Sequence, residues 1–356
     1  SYDRQHWFDT VGKECRHVAE HAGIIELTGF SRFHLKGDGA ADWLASLVTG
    51  NLPQVGRFGL VYFASAKGKV LTEMSATRLA EDEFLLITGA GAYWHDRDLL
   101  NGCLPTSGGI SLQDTTRDYA TLLVTGPKSP AIIAAVSGLS TSQADFPWLS
   151  HQPCQIAGCW VTAIRVSFAG EAGWEIHCDM ADVLTVYDQI MKAGAPHQLG
   201  HFGMLALDSM RLEKGYRSWK SDLTSDYTML ESGLGRWVKF DKPDFVGRSA
   251  LQAEHQAGSK RQFAMLTLDD PVDGNSDPFG EAVYLSVVQC DGVDSGLVVS
   301  AGYGHRVNKS IAMAVVDTEK LVSASQISVA VVGRPRSAHL VPAHALYDLN
   351  DEKLRG

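Results

Sequence analysis

The sequence is poor in the features that announce most kinds of site. It has no Cys-x-x-Cys pair, and Cys15, Cys103, Cys154, Cys159, Cys178 and Cys290 are scattered through 356 residues. Disulfide scaffolds and structural zinc sites both rest on closely spaced cysteines. These six therefore read as reduced, mostly buried thiols in a cytoplasmic setting. No apolar run nears the ~20 residues that span a bilayer, and the polar and aromatic opening from Ser1 to Trp7 does not read as a signal peptide. Positive charge is in the minority, 31 Lys and Arg against 41 Asp and Glu, for a net −10. Nucleic acid and anionic membrane both reward a basic face, so neither is expected as a partner.

Several motifs fail on a single residue. There is no Gly-x4-Gly-Lys-[Ser/Thr] loop and no Gly-x-Ser-x-Gly elbow. Gly89-Ala90-Gly91 follows an apolar stretch as a dinucleotide loop would. Trp94, however, takes the place of the third glycine, which close helix–strand packing requires, so the segment reads as a strand-to-helix turn. His197 and His201 stand four apart, but Gln198 replaces the glutamate of a zinc protease, and Pro196 and Gly200 oppose a regular helix. Both histidines read as solvated loop residues, and no metal is expected. Cys154 and Cys159 flank His151 too loosely to single out a nucleophile and its base.

What is present fits an α+β enzyme of two or three domains. Alternation at Phe33 and Leu35 predicts a strand. Asp38 is placed to cap a helix carrying Ala41, Leu44 and Val48, which Pro53 stops. Strands follow over 60–64, 70–78 and 84–88, the first two joined by a turn at Ala66-Lys67-Gly68-Lys69. A second unit starts near Tyr119, with strands over 122–125 and 161–168 and helices over 131–136, 183–191 and 204–214. Beyond about residue 260 the chain turns to short apolar strands at 263–268, 283–288, 296–300, 311–316 and 327–332, an all-β pattern. The expected domains are 1–258 and 259–356, with a polar linker over 252–261.

The segment Arg165-Val166-Ser167-Phe168-Ala169-Gly170-Glu171-Ala172-Gly173-Trp174-Glu175-Ile176 reads as a strand ending at Phe168, a glycine turn, and a strand from Trp174. It brings Glu171 and Glu175 beside two aromatics. A carboxylate can accept two parallel N–H bonds from a flat heterocycle, and aromatic walls exclude water.

This segment resembles the signature of the glycine cleavage T-protein (aminomethyltransferase) family. Other blocks resemble the family in order: Phe30-Ser31-Arg32-Phe33 with Gly37-Asp38-Gly39-Ala40, Ala76-Thr77-Arg78-Leu79, and Val124-Thr125-Gly126-Pro127. Leu207 to Trp219, Glu231-Ser232-Gly233-Leu234-Gly235, the Gly247-Arg248-Ser249-Ala250-Leu251 block and Gly302-Tyr303-Gly304-His305 are similar to the C-terminal folate-binding half of dimethylglycine and sarcosine dehydrogenases. The resemblance implies a cloverleaf of three subdomains, the last a β-barrel, around a central tetrahydrofolate channel. It implies Glu175 as the carboxylate that holds the pterin, with Phe168 where most members have tyrosine. It implies Glu73 as the catalytic carboxylate where the family has aspartate, with Ser75 two residues on. Glu171, Trp174, Tyr216 and Trp219 complete the implied cofactor pocket.

The implied activity moves a methylene or methyl unit from an N-methylated amine (dimethylglycine, sarcosine or betaine type) to tetrahydrofolate. Because no flavin fingerprint is present, oxidation would fall to a flavin dehydrogenase domain or subunit, and Trp7 and Phe8 are placed to pack against it. Two alternatives stand beside this reading. One is a stand-alone tetrahydrofolate-dependent demethylase acting on a quaternary ammonium, sulfonium or aryl methyl ether. The other is a non-catalytic folate-binding or assembly module.

Overall fold

Strand alternation sets the architecture. In Val70–Ala80 the side chains of Met74 and Ala76 are buried, while Glu73 and Ser75 on the other face are half-buried. In Gly173–Asp179 Trp174, Ile176 and Cys178 enter a core, and Glu175 and His177 point the opposite way. Each strand thus covers a core with one face and presents functional groups on the other. The computed structural model describes residues 5–106, 108–269 and 281–356.

Three sheets result. A five-stranded antiparallel sheet runs in the order Phe58–Ala64, Val70–Ala80, Glu83–Thr88, Ser31–Lys36, Ser111–Asp114. A six-stranded sheet runs Leu199–His201, Ala22–Glu26, Tyr119–Thr125, Gly173–Asp179, Cys159–Ile164, His151–Ile156. The third is a closed barrel, Arg261–Leu268, Lys309–Asp317, Val293–Gly304, Val287–Cys290, Ile327–Val331, Arg334–Leu340, the last pairing back on the first. Closure leaves no open sheet edge. This is the mixed α and β architecture expected, with its C-terminal barrel.

Several local expectations are corrected. The helix Ala40–Leu47 is not capped by Asp38; the Asp82 carboxylate reaches across to accept from the amides of Gly39 and Ala41. The strand before the signature ends at Ile164, not Phe168, so residues 165–172 form a connection rather than a tight hairpin. That connection is pinned by the Ser167 hydroxyl, which bonds Thr125 and the amide of Ala169. The second strand of the barrel starts at Val287 rather than Val283. Phe8 opens a helix, Phe8–Glu20, and packs within its own chain on Tyr303 and His305 at ring distances of 5.1 and 4.5 Å. The Phe8 ring therefore has an internal partner. Among the described residues no helix is long and apolar enough to cross a membrane.

Candidate active site

Glu73 faces Tyr62 directly across the strand pair Phe58–Ala64 and Val70–Ala80. The Tyr62 hydroxyl lies close enough to the Glu73 carboxyl to act on its ionisation as a donor, and Tyr62 itself is buried. Burial pushes the Glu73 carboxyl up to about 7, against the lowering effect of Tyr62 and of the nearby Arg217. The same burial, with the Glu73 charge beside it, pushes the Tyr62 phenol well above its usual range. The phenol is thus a fixed donor, and the carboxyl exchanges its proton near neutrality.

The segment from Lys214 to Gly247 has little regular structure and lies over this face of the hairpin. Leu223, Met229, Leu234 and Phe245 pack into one cluster with Tyr62, and Trp219 and Trp237 border it. Trp237 touches Tyr62 at a ring distance of 5.1 Å. On the same segment Tyr216 stacks on Phe168 at 5.7 Å and 17°, and Phe168 remains 38% exposed. The segment therefore gathers Glu73, Tyr62, Phe168, Tyr216, Trp219 and Arg217. Two donors here are buried without a partner in the structure, Arg217 Nε and Trp219 Nε1. Buried donors are normally paired, so such orphans mark a place where an acceptor fits.

Glu175 sits in a second cluster, on the six-stranded sheet. One of its oxygens accepts from His177 Nε2 at 3.2 Å. The other ring nitrogen, Nδ1, accepts from the buried Arg32 guanidinium, which also donates to Thr121 at 2.7 Å. Burial holds His177 below its usual value, with Arg32 adding to the effect and Glu175 opposing it. A neutral His177 with Nδ1 occupied by Arg32 carries its proton on Nε2 and donates that N–H as a hydrogen bond to Glu175. Burial likewise pulls the Arg32 guanidinium down to about 10. The Glu175 side chain keeps 23% exposure, and its second oxygen has no partner among the described residues. No direct contact joins Glu175 to Glu73.

The remaining expected site residues fall differently. Trp174 is fully buried in the core, edge-on to Phe146 at 6.2 Å and under the Arg165 guanidinium at 4.8 Å. Period-two alternation puts it on the face opposite Glu175, so it lines no cleft. Glu171 is 1% exposed and already engaged: its Oε1 accepts from Arg306 at 2.9 Å and from the Tyr347 hydroxyl at 2.5 Å. Arg306 also pairs with Glu213 and stacks on Tyr347. Glu171 therefore ties the barrel to the signature loop and is not free to hold a ligand. Ser75 shares the Glu73 face, opposite Leu60. Two open hollows in the surface, one lined by Lys36, Asp38 and Glu81, the other by Arg211, Lys220 and Ser300, include neither Glu73 nor Glu175.

Sequence reasoning missed Tyr62, Arg32, His177, Arg217, Arg236 and Trp237. Two were within reach. A hairpin closing on Ala66–Lys69 puts Tyr62 opposite Glu73, and His177, two residues past Glu175, shares its face. Arg217, Arg236 and Trp237 come from a segment without periodicity, and Arg32, on the strand Ser31–Lys36, meets His177 only across two sheets.

Comparison with known proteins shows the family. The domain described as GCVT N-terminal domain matches residues 1–242, and the glycine cleavage T-protein C-terminal barrel domain matches residues 261–348. Mitochondrial dimethylglycine dehydrogenase of Mus musculus is 32% identical over 96% of this chain and 39% of its own length. Mitochondrial sarcosine dehydrogenase of Homo sapiens is 32% identical over 85% of this chain and 34% of its own. An aminomethyltransferase of Caldanaerobacter subterraneus subsp. tengcongensis is 26% identical over 94% of this chain and 87% of its own length. The crystal structure of glycine cleavage system aminomethyltransferase T from Bartonella henselae shares the fold, with a TM-score of 0.81 over 94% of this chain and 90% of that one, at 22% identity. The chain thus spans about two fifths of the dehydrogenases it matches and nearly all of the aminomethyltransferases. On these matches the chain belongs to the glycine cleavage T-protein family of folate-dependent one-carbon transferases.

Proposed function

We propose that the chain passes a one-carbon unit from an N-methylated amine, of the dimethylglycine, sarcosine or betaine type, to tetrahydrofolate. We further propose that it works with a flavin dehydrogenase, in the same polypeptide or as a separate subunit. The dehydrogenase relatives, of which the chain covers 39% and 34%, support that pairing. The donor set supports the cofactor. Glu175 offers a free acceptor for ring N–H groups, Phe168 on Tyr216 offers a flat apolar wall, and Trp219 Nε1 is a donor in want of an acceptor.

Tetrahydrofolate, when bound, supplies the nitrogen nucleophile that receives the one-carbon unit. Glu175, steadied by His177 and Arg32, orients the ring through its second oxygen. Phe168 and Tyr216 exclude water from one face. Glu73 manages the proton. A carboxyl poised at about 7 can take a proton from the attacking nitrogen, or return one to the departing amine, with comparable ease at neutral pH. Tyr62 holds that carboxyl in place throughout.

Glu73 is the observation that carries this reading: a carboxyl directly across the strand pair from a buried phenol, raised to about 7, on the aromatic face of the hairpin. The test is transfer to tetrahydrofolate from formaldehyde, with the uncatalysed reaction subtracted, in the wild type and in Glu73→Gln. The substitution is expected to lower the rate by roughly 10²–10⁴-fold, and the wild-type rate to rise with pH through about 7. An unchanged rate in Glu73→Gln, or a flat wild-type profile from pH 6 to 8, would contradict the assignment.

A further inference from the structure

Two arginines beside Glu73 have no counter-ion. Elsewhere the buried guanidinium groups are well supplied. Arg211 pairs with Asp222 at 2.5 Å and Asp208 at 2.7 Å, Arg306 pairs with Glu171 and Glu213, and Arg165 bonds the carbonyls of Thr141 and Phe146. The guanidinium groups of the half-buried Arg217 and the exposed Arg236 make no hydrogen bond or ion pair to any described residue. Each is instead held by an aromatic ring: Arg217 lies 4.0 Å from the centre of Phe263, and Arg236 lies 3.7 Å from that of Trp237.

Their surroundings place both at the proposed reaction centre. Trp237 packs on Tyr62, and Tyr62 faces Glu73 across the strand pair, so Arg236 is linked to Glu73 through these two side chains. Arg217 is close enough to Tyr62 and Glu73 for their charges to interact, and Arg217 and Arg236 are close enough to oppose each other. Gly233, with φ at +69°, leaves the room Arg217 occupies; a Cβ there would lie 2.8 Å from its terminal nitrogen. The nearest fixed acid, Asp222, is already taken by Arg211 and by the amide of Ser218 at 2.8 Å. Glu73 is only half ionised near neutrality. Two like charges, pre-oriented by stacking and lacking an anion, are stabilised by an anionic ligand, and the planar guanidinium fork matches a carboxylate.

We propose that Arg217 and Arg236 form a carboxylate-binding subsite beside Glu73, which holds the carboxylate of an N-methylated amino-acid donor. This rests on the one-carbon transfer reading above and assigns the residues that hold the acid group its donors carry. The glutamate of folate also carries carboxylates, and the two sources are separable by titration.

The experiment is calorimetric titration of sarcosine, of N-methylethanolamine, of 5-formyltetrahydrofolate and of its glutamate-free pteroate analogue. The proteins are the wild type, Arg217→Met and Arg236→Gln, each with its fold checked by circular dichroism. The exposed Arg236 keeps the test open if Arg217→Met does not fold. Sarcosine is expected to bind the wild type more tightly than N-methylethanolamine. Its affinity should fall by roughly 10–100-fold in each variant, with 5-formyltetrahydrofolate unchanged. Loss of 5-formyltetrahydrofolate affinity with the pteroate analogue unchanged would overturn the donor assignment and give the carboxylate to folate. Equal affinity for sarcosine and N-methylethanolamine, or no effect of either substitution on any ligand, would overturn the subsite itself. Arginine-dependent sarcosine binding in a wild type that ignores both folates would sink the folate reading and leave the subsite standing.

Discussion

The two glutamates of one signature, Glu171 and Glu175, lie four residues apart and have opposite fates. Glu171 is sealed from solvent, with Arg306 and the Tyr347 hydroxyl both on one of its oxygens. Glu175 is fixed through one oxygen and open through the other. Around Glu73 the imbalance is larger, since a raised carboxyl and two uncompensated arginines share one aromatic surface. Buried charge with every partner in place reads as architecture, and charge with a partner missing reads as a site. Residue type and motif membership do not separate the two; the count of partners does.

The heaviest blow falls on the buried side. Arg306→Met leaves Glu171 and Glu213 buried without compensation and should cost about 3–5 kcal/mol of stability, read by thermal or urea unfolding. A loss below about 1 kcal/mol would erase the contrast. On the open side the sign reverses. Glu73 is raised from 4.5 to about 7, so its ionisation opposes folding. That penalty is absent below about 4.5, grows as pH rises to 7, and is constant above. Glu73→Gln should therefore gain up to about 3 kcal/mol at pH 8 and nothing at pH 4, while losing transfer. A variant that is destabilised at pH 8 would show Glu73 to be structural.

Smaller effects sharpen the picture further. Phe168→Ala should weaken tetrahydrofolate roughly tenfold by removing one aromatic wall, with little change in melting temperature, because Phe168 is 38% exposed. His177→Gln removes the imidazole between Arg32 and Glu175 and should weaken folate only about two- to fivefold. Equilibrium titration reads both. An effect of His177→Gln larger than that of Phe168→Ala would mean that orientation of Glu175 outweighs stacking.

Much of this was legible in the sequence, and the rest for identifiable reasons was not. Alternation located the strands that carry Glu73 and Glu175 because each has one buried face. It also held the correction for Trp174, which is adjacent to Glu175 and must point the other way. Hairpin geometry held Tyr62. The engagement of Glu171 was out of reach, since Arg306 and Tyr347 arrive from 135 and 176 residues away. The cap from Asp82 and the strand Arg334–Leu340, too polar to read as one, depend likewise on contacts made elsewhere in the fold.

The central claim, that the partly exposed carboxylate and not the buried one meets folate, is tested most directly by titrating tetrahydrofolate into Glu175→Gln and Glu171→Gln side by side with the wild type. The account predicts that folate affinity is lost, by roughly tenfold or more, in Glu175→Gln at unchanged stability, and that Glu171→Gln melts lower yet binds folate like the wild type wherever it is folded. Wild-type affinity in Glu175→Gln, or loss of binding in folded Glu171→Gln, would contradict it.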